Sequence, residues 1–283
     1  MTTALCAALA LSACGGGGGG GSTVVPFTSN SALPDNGTVQ INGVAATASY
    51  AIDPGTGEVT LTNQAAGSAT ITSTLSGGLA QNVRIAAPGS TAEIDLTTGS
   101  VTELTSAEIL YVQSANADVE ASFENVAPVY EYQTYGSWFT GVNGGSGTVG
   151  VGTFGAPTPT SATLPASATY SGTGTGYAID STGQAYYTDF DVSASTDFDT
   201  ISISSSGTTA ANILGGSPTS ASSLDFAGSG SVTGTSFTAN ITSTDTTGIA
   251  AGGFYGPNAE EFGGVIVTTG TGPAMHNAAF GGQ

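Results

Sequence analysis

Apolar and polar residues alternate with a period of two over many short stretches of this chain. Residues 58–62 read Glu-Val-Thr-Leu-Thr, and residues 69–72 and 93–96 repeat the same pattern. Such alternation predicts β-strands with one buried face and one solvent face. Further candidate strands follow at short intervals, namely 130–139, 168–179, 184–192, 197–204, 231–244, 248–255 and 264–269.

Turn signals separate these candidate strands. Residues 53–57 read Asp-Pro-Gly-Thr-Gly, and Pro fixes φ while Gly accepts positive φ. No convincing helical period appears, although a helical turn stays open within residues 106–122. The sequence therefore predicts an all-β protein, with a small β-domain over residues 27–125 and a barrel or sandwich over residues 126–283.

The first 13 residues form a short apolar run that ends in Leu11-Ser12-Ala13 before Cys14. The run is too short to span a bilayer but suits the core of a signal peptide. Its end matches the bacterial lipobox, in which the cysteine is lipidated and becomes the mature N-terminus. The weaker alternative is a buried first strand with an incidental cysteine. We therefore predict a lipoprotein signal peptide over residues 1–13, with Cys14 as the lipid attachment site.

Seven glycines follow Cys14 directly, which makes residues 14–26 a predicted flexible tether. Gly15, where lipoproteins retained elsewhere carry Asp, favours the outer membrane as the location of the lipid anchor. A signal normally opens with Lys or Arg, and residues 1–3 have neither, so we expect the true start upstream. After processing no free thiol is left for a disulfide, a nucleophile or a cysteine metal site.

Charge in this chain is scarce and almost entirely negative. One basic residue, Arg84, stands against 20 acidic ones, for a formal net charge of -19. Nucleic acid and anionic membrane surfaces are therefore not expected as partners. The acidity would steer a cationic partner toward the protein. The alternative, which we favour from the sequence alone, is that it keeps a secreted protein soluble and monomeric.

Candidate chemistry is sparse, and we predict that the chain is not an enzyme and has no cofactor. Residues 150–155 fit Gly-x-Gly-x-x-Gly but run into prolines instead of the helix that a phosphate cradle needs. The single histidine, His276, lies in a Gly-rich segment that we expect to be a tail. One histidine without a thiol does not make a typical zinc site.

One acidic constellation is a candidate for Ca²⁺. Asp189, Asp191, Asp197 and Asp199 are arranged almost symmetrically about Ala194. A hairpin that turned there would place two pairs of carboxylates opposite each other, and bound Ca²⁺ would remove the repulsion between them. The alternative is a solvated acidic face with the strands offset, which we favour over the metal site.

A resemblance to a known family rests on residues 253–265. Its residues Gly253, Phe254, Tyr255, Gly256, Pro257, Asn258, Ala259, Glu260, Gly263 and Gly264 closely resemble the signature of the transferrin-binding protein B-like β-barrel family of surface lipoproteins. The resemblance covers roughly the last 150 residues. It implies an eight-stranded up-and-down antiparallel barrel in a receptor for iron-carrier proteins, haem proteins or complement regulators.

The residues themselves predict a structural hairpin in which Gly263 and Gly264 allow close strand approach. Glu260 and Glu261 at its turn either face a ligand or are solvated, and we favour the solvated arrangement. We expect a surface-exposed lipoprotein that binds a protein or haem/iron-carrier ligand through barrel loops. The alternative is a structural or adhesive surface protein without a small-molecule ligand. Transferrin itself is doubtful as the ligand, because the chain has one barrel where the full receptor has two lobes.

Overall fold

A computed structural model describes residues 24–104, 109–124, 130–271 and 274–283. Two β-sheets account for almost all regular structure in these ranges. The rest consists of three short 3-10 turns, each between strands of one sheet, at Asn30–Ala32, Val142–Gly144 and Ser222–Leu224. The all-β prediction is therefore confirmed. No helix in the described ranges is long and apolar enough to cross a membrane.

The N-terminal sheet contains 11 strands, nine of them in one continuous order. In chain order its strands are β1 (Val24–Pro26), β2 (Gly37–Ile52), β3 (Val59–Ser76), β4 (Leu79–Ala80), β5 (Asn82–Ala87), β6 (Ser90–Asp95), β7 (Ser100–Leu104), β8 (Ile109–Gln113), β9 (Val119–Glu124), β10 (Gln133–Thr140) and β11 (Ser146–Gly155). The spatial order is β6-β5-β3-β2-β11-β10-β9-β8-β7, with β1 added to β2 and β4 to β3. The small β-domain predicted before the barrel is thus a broad sheet.

The second sheet closes into a barrel. Its strands are β12 (Ala168–Ile179), β13 (Ala185–Thr196), β14 (Thr200–Asn212), the two-residue β15 (Thr219–Ser220), β16 (Ala227–Thr233), β17 (Ser236–Thr242), β18 (Thr246–Tyr255), β19 (Glu261–Gly270) and β20 (Met275–Gly282). Apart from β15, each strand pairs antiparallel with the next one in the chain, and β20 pairs with β12. The predicted eight-stranded up-and-down barrel is confirmed.

The aromatic segment 130–139 lies elsewhere than the sequence placed it. Hydrogen bonds pair β10 with β9 and β11 inside the N-terminal sheet instead of with a barrel strand. By strand pairing, the two sheets divide between Gly155 and Ala168, whereas the predicted division lay between residues 125 and 126. Strand β10 is aromatic and mostly buried, and therefore resembles a barrel strand in sequence. This resemblance explains why the predicted division lies before β10, whereas the observed one lies after β11.

Both faces of β10 are buried because the N-terminal sheet packs against the outer wall of the barrel. Tyr135 faces the barrel and contacts the Thr173 hydroxyl with its own hydroxyl. Trp138 points to the opposite face, where its ring lies 6.4 Å from that of Phe154. Three large apolar cores result, one inside the barrel, one between the sheets and one on the far face of the N-terminal sheet, and Phe27, Val39 and Leu75 form a fourth, smaller one. Because side chains alternate between the two faces of β10, this strand contributes both to the core between the sheets and to the core on the far face.

The far core leaves no room for a side chain at Gly150 of β11. A Cβ there would lie 2.1 Å from Cζ2 of Trp138, which is fully buried. We expect Gly150→Ala to lower the free energy of unfolding by about 1–3 kcal/mol, because the indole ring has no space to yield. Urea unfolding followed by the fluorescence of Trp138, the single tryptophan, measures the change.

Gly144→Ala is the matched control for this substitution, because a Cβ at Gly144 meets nothing within 4 Å. We expect its unfolding midpoint to stay at the wild-type value. An equal midpoint for Gly150→Ala would contradict the tight packing between Gly150 and Trp138.

Candidate functional site

The family motif forms the hairpin between β18 and β19. Its turn requires left-handed backbone at Gly256, with φ 83°, and at Ala259, with φ 61°. Glu260 is exposed and accepts hydrogen bonds from the backbone and side-chain amides of Asn258, both at 2.8 Å. The Tyr170 hydroxyl donates to the carbonyl of Ala259 at 2.7 Å. The turn is thus fixed from inside the barrel, while Pro257 and Asn258 face solvent.

Glu261, the next residue, is buried and joins the two sheets. Its side chain is 3% exposed, and its carboxylate accepts the backbone N–H of Glu131 at 2.7 Å and that of Tyr132 at 3.1 Å. Burial raises the pKa of Glu261, while these backbone donors act in the opposite direction. The expectation that Glu261 is solvated is therefore wrong. Sequence patterns do not predict the burial of Glu261, because the backbone N–H groups that donate to it lie far away in the chain.

The two glycines after Glu261 lie where other groups approach the backbone closely. A Cβ at Gly263 would lie 2.2 Å from the Gln133 side-chain oxygen, and one at Gly264 would lie 2.6 Å from the Ala251 carbonyl oxygen. The Gln133 amide in turn donates to the carbonyl of Phe262 at 2.7 Å. Gly263 therefore lies in the contact between β19 and the N-terminal sheet, whereas Gly264 lies against the neighbouring barrel strand β18.

The four aspartates proposed for Ca²⁺ are not brought together. Strand β13 continues past Ala194 to Thr196, so the predicted hairpin about Ala194 is wrong. Asp189 lies opposite Thr209, and Asp191 lies opposite Ser206. The described residues contain no group of three or more acidic, histidine or cysteine side chains that could hold a metal ion.

The actual turn between β13 and β14 explains why Asp197 and Asp199 do not face the other two aspartates. Asp197 holds this turn, because its carboxylate accepts the backbone N–H of Asp199 at 3.1 Å and that of Thr200 at 2.7 Å. Phe198 occupies the turn with a φ of 63°. These hydrogen bonds lower the pKa of the Asp197 carboxyl.

His276 lies on β20 inside the barrel, and the segment that the sequence placed as a tail is the last barrel strand. The ring is 1% exposed, and its Nε2 lies 3.0 Å from the hydroxyl of Thr188. Burial lowers the pKa of His276 to about 4, although the charge of Asp225 acts against the shift. His276 is therefore a neutral core residue at physiological pH.

An aromatic and acidic surface lies where the N-terminal sheet meets the barrel wall. We call it the seam patch; it consists of Tyr50, Tyr111, Asp118, Glu120, Phe139, Tyr187 and Asp189. The rings of Phe139 and Tyr187 are 5.6 Å apart, and those of Phe139 and Tyr50 are 6.3 Å apart, both edge to face. Tyr187 is 39% exposed. These residues come from β2, β8, β9, β10 and β13 and from the turn before β9, so no pattern within the sequence predicts the cluster.

Acidic groups surround the rings of the seam patch. The Tyr111 hydroxyl donates to the Glu120 carboxylate at 2.6 Å. Burial and the charge of Glu120 raise the pKa of Tyr187 to about 12. Burial likewise raises the pKa of Tyr50, with contributions from Asp118 and Glu120. The one basic residue, Arg84, lies on β5, from which β3, β2 and β11 separate β10.

Two open cavities at the ends of the barrel are less suited to strong binding. One, of about 410 Å³, lies beside the motif hairpin, and the other, of about 670 Å³, lies at the opposite end. Both are lined mostly by small Ser, Thr, Gly and Ala side chains. Binding energy in protein interfaces concentrates in aromatic and Arg residues, and at the seam patch one exposed ring, Tyr187, lies among half-buried ones.

Comparisons with known proteins identify the barrel. A family model described as the C-lobe and N-lobe beta barrels of Tf-binding protein B matches residues 159–283. No curated protein matches the sequence.

Among solved structures the chain is similar to the haemoglobin receptor HpuA from Kingella denitrificans, at 16% identity and a TM-score of 0.43 over 93% of this chain and 94% of that one. It is also similar to a transferrin binding protein B mutant from Haemophilus parasuis, at 17% identity and a TM-score of 0.39 over 85% of this chain, and it spans 45% of that protein. The N-lobe of lactoferrin binding protein B from Moraxella bovis overlaps at 14% identity and a TM-score of 0.39, over 85% and 98% of the two chains.

The closed barrel agrees with the family match, which is to the β-barrels of a protein named for binding transferrin. The resemblance seen in the motif is confirmed, because the family model of Tf-binding protein B β-barrels matches residues 159–283, the part of the chain that contains the motif.

Proposed function

We propose that the chain is a lipid-anchored receptor on the outer surface of the outer membrane, which binds an iron-carrier or haem-carrier protein. The observation that carries the proposal is the match of residues 159–283 to barrels of a protein named for binding transferrin. A second support is the seam patch, whose exposed ring and acidic side chains suit a protein partner.

The anchor in this proposal is Cys14, which lies outside the described residues, as do the predicted signal peptide and the glycines of the tether. A lipidated cysteine followed by seven glycines would let the folded sheets move above the membrane. The first described strand, β1 (Val24–Pro26), pairs with β2 and lies inside the predicted tether of residues 14–26, so the last three residues of that segment belong to the N-terminal sheet. The proposal makes the chain a monomer held by lipid alone.

One experiment tests both parts of the proposal. Cells that display the wild-type chain are compared with cells that express Cys14→Ser, using labelled transferrin, haemoglobin and lactoferrin as probes. We expect saturable capture of one probe by the wild type. The Cys14→Ser cells lose capture, because the protein no longer carries lipid and leaves the membrane fraction.

Absence of saturable binding for all three probes, in cells where the wild-type chain is membrane-bound, would contradict the carrier-receptor function. The structural or adhesive alternative then predicts a loss of surface attachment on gene deletion, with unchanged growth under iron limitation. Membrane retention of Cys14→Ser would contradict the lipid anchor separately.

A further inference from the structure

We infer that the seam patch is the docking surface for a cationic segment of the partner protein, in which an Arg or Lys side chain lies on the rings of Phe139 and Tyr187 and pairs with Glu120 or Asp189. The inference rests on the proposed function and adds the place and the chemistry of recognition. It does not depend on which carrier protein is bound.

The geometry of the patch suits a cation. A guanidinium or ammonium group is attracted to an aromatic face within about 6 Å of the ring centre. Tyr187 carries the most exposed ring of the patch, and Phe139 lies edge to face beside it. Asp189 lies two residues beyond Tyr187 on β13, and therefore on the same outward face. One cation can thus meet a ring and a carboxylate together.

The carboxylates of the patch carry no compensating positive charge from this chain. Glu120 accepts a hydrogen bond from Tyr111, which is neutral, and Asp189 interacts with the Thr175 hydroxyl. Arg84 is the only Lys or Arg in the sequence. It lies on β5, which three strands, β3, β2 and β11, separate from β10. A negative surface of this kind attracts a positive one and sets its orientation.

The same charge argument excludes a second copy of this chain as the occupant. A copy brings a net charge of -19 and only one Arg, so it would add repulsion rather than cations. The occupant must therefore be another protein with exposed Arg or Lys side chains.

The patch is also held in place before the partner arrives. The Tyr50 hydroxyl donates to the Thr140 carbonyl at 3.1 Å, and Gln113 donates to the Tyr111 hydroxyl at 3.1 Å. All patch residues except Asp118 lie on strands, and Asp118 accepts the backbone N–H of Asn143 at 3.1 Å. Rings fixed in this way lose little conformational entropy on binding, which favours affinity.

The test uses the full chain and an acetylated, amidated Gly-Arg-Gly-Arg-Gly peptide as the probe, with a citrulline peptide of the same shape but without the charge. We expect saturable binding of the Arg peptide at about 0.15 M salt and none of the citrulline peptide. Tyr187→Ser, which leaves the net charge unchanged, weakens binding about threefold or more. Tyr187→Lys, which places a cation in the patch, abolishes it.

Two control variants show whether the peptide binds at the seam patch or responds only to the net negative charge of the protein. Glu120→Gln weakens peptide binding, whereas Glu93→Gln, an exposed carboxylate on β6, leaves it unchanged. Tyr186→Ser removes the neighbouring ring, which bonds to Asp180 away from the patch, and also leaves binding unchanged. Thermal unfolding shows whether each variant is folded.

Equal weakening by Glu93→Gln and Glu120→Gln, or unchanged binding by folded Tyr187→Ser and Tyr187→Lys, would overturn the inference. If a carrier protein binds the wild type and Tyr187→Lys alike, the patch is wrong while the proposed function stands. If no carrier binds but the peptide and variants behave as expected, the cationic site stands and the proposed function fails.

Discussion

Glu261→Ala is expected to lower the free energy of unfolding by about 3 kcal/mol, since it removes a buried acceptor from two backbone donors. The N–H groups of Glu131 and Tyr132 would be left without their partner in the junction between the sheets. Urea unfolding at pH 7, followed by far-UV circular dichroism, gives the difference from the wild type.

Glu260→Ala is the control for this loss, because Glu260 is exposed and accepts hydrogen bonds only from its neighbour Asn258. Its substitution should change the free energy of unfolding by about 0.5 kcal/mol or less. Similar losses in both variants would show that Glu261 does not hold the junction.

Acidification from pH 7 to pH 5 is expected to remove about 2 kcal/mol of stability through His276 alone. Folding lowers the pKa of His276 from its ordinary 6.5 to about 4 by burial. Between those two values the unfolded chain binds more protons than the folded one, so stability falls as pH falls. The free energy of unfolding, measured in urea at several pH values, should decrease steadily over this window.

The His276→Gln variant isolates this effect, because the chain has no other histidine. Glu261 and Asp189 have raised pKa values in the folded protein, and they act in the opposite direction as pH falls. They are present in both proteins and cancel in the comparison. A pH slope in His276→Gln as steep as that of the wild type would show that His276 is not buried in its neutral form.

Most barrel strands follow from period-two patterning and turn residues. The predicted strand 168–179 has the same bounds as β12, and 248–255 lies within β18. The predicted strand 231–244 instead contains the end of β16 and all of β17, because Gly234 turns the chain with a φ of 62°. A single glycine among Ser and Thr gave too weak a turn signal.

Strand β20 was missed because its sequence lacks the β-branched residues by which strands are recognised. It contains Gly, Ala, Asn and His beside Phe280, a composition typical of loops. The packing explains this choice of residues, since β20 is buried on both faces between the barrel interior and the N-terminal sheet. Small side chains are needed where two layers approach one strand.

The motif hairpin could be predicted from the sequence, but the seam patch and the role of Glu261 could not. Hairpin signals are local, since turn residues act on their own backbone. Glu261 and Tyr187 acquire their environment from partners far away in the chain, namely Glu131, just before β10, and Phe139 on β10. Only the packing of the two sheets brings such pairs together.

The pairing of β12 with β20, which closes the barrel, also constrains how the barrel folds. These strands come from opposite ends of the barrel segment and meet at pairs such as Gly172 and Gly282. Until they join, the growing sheet has two unpaired edges that could pair with other chains, a known route to aggregation. Contacts so distant in sequence form slowly, on a time scale of about milliseconds to seconds. Assembly of this protein is therefore most vulnerable just before the last strand pairs.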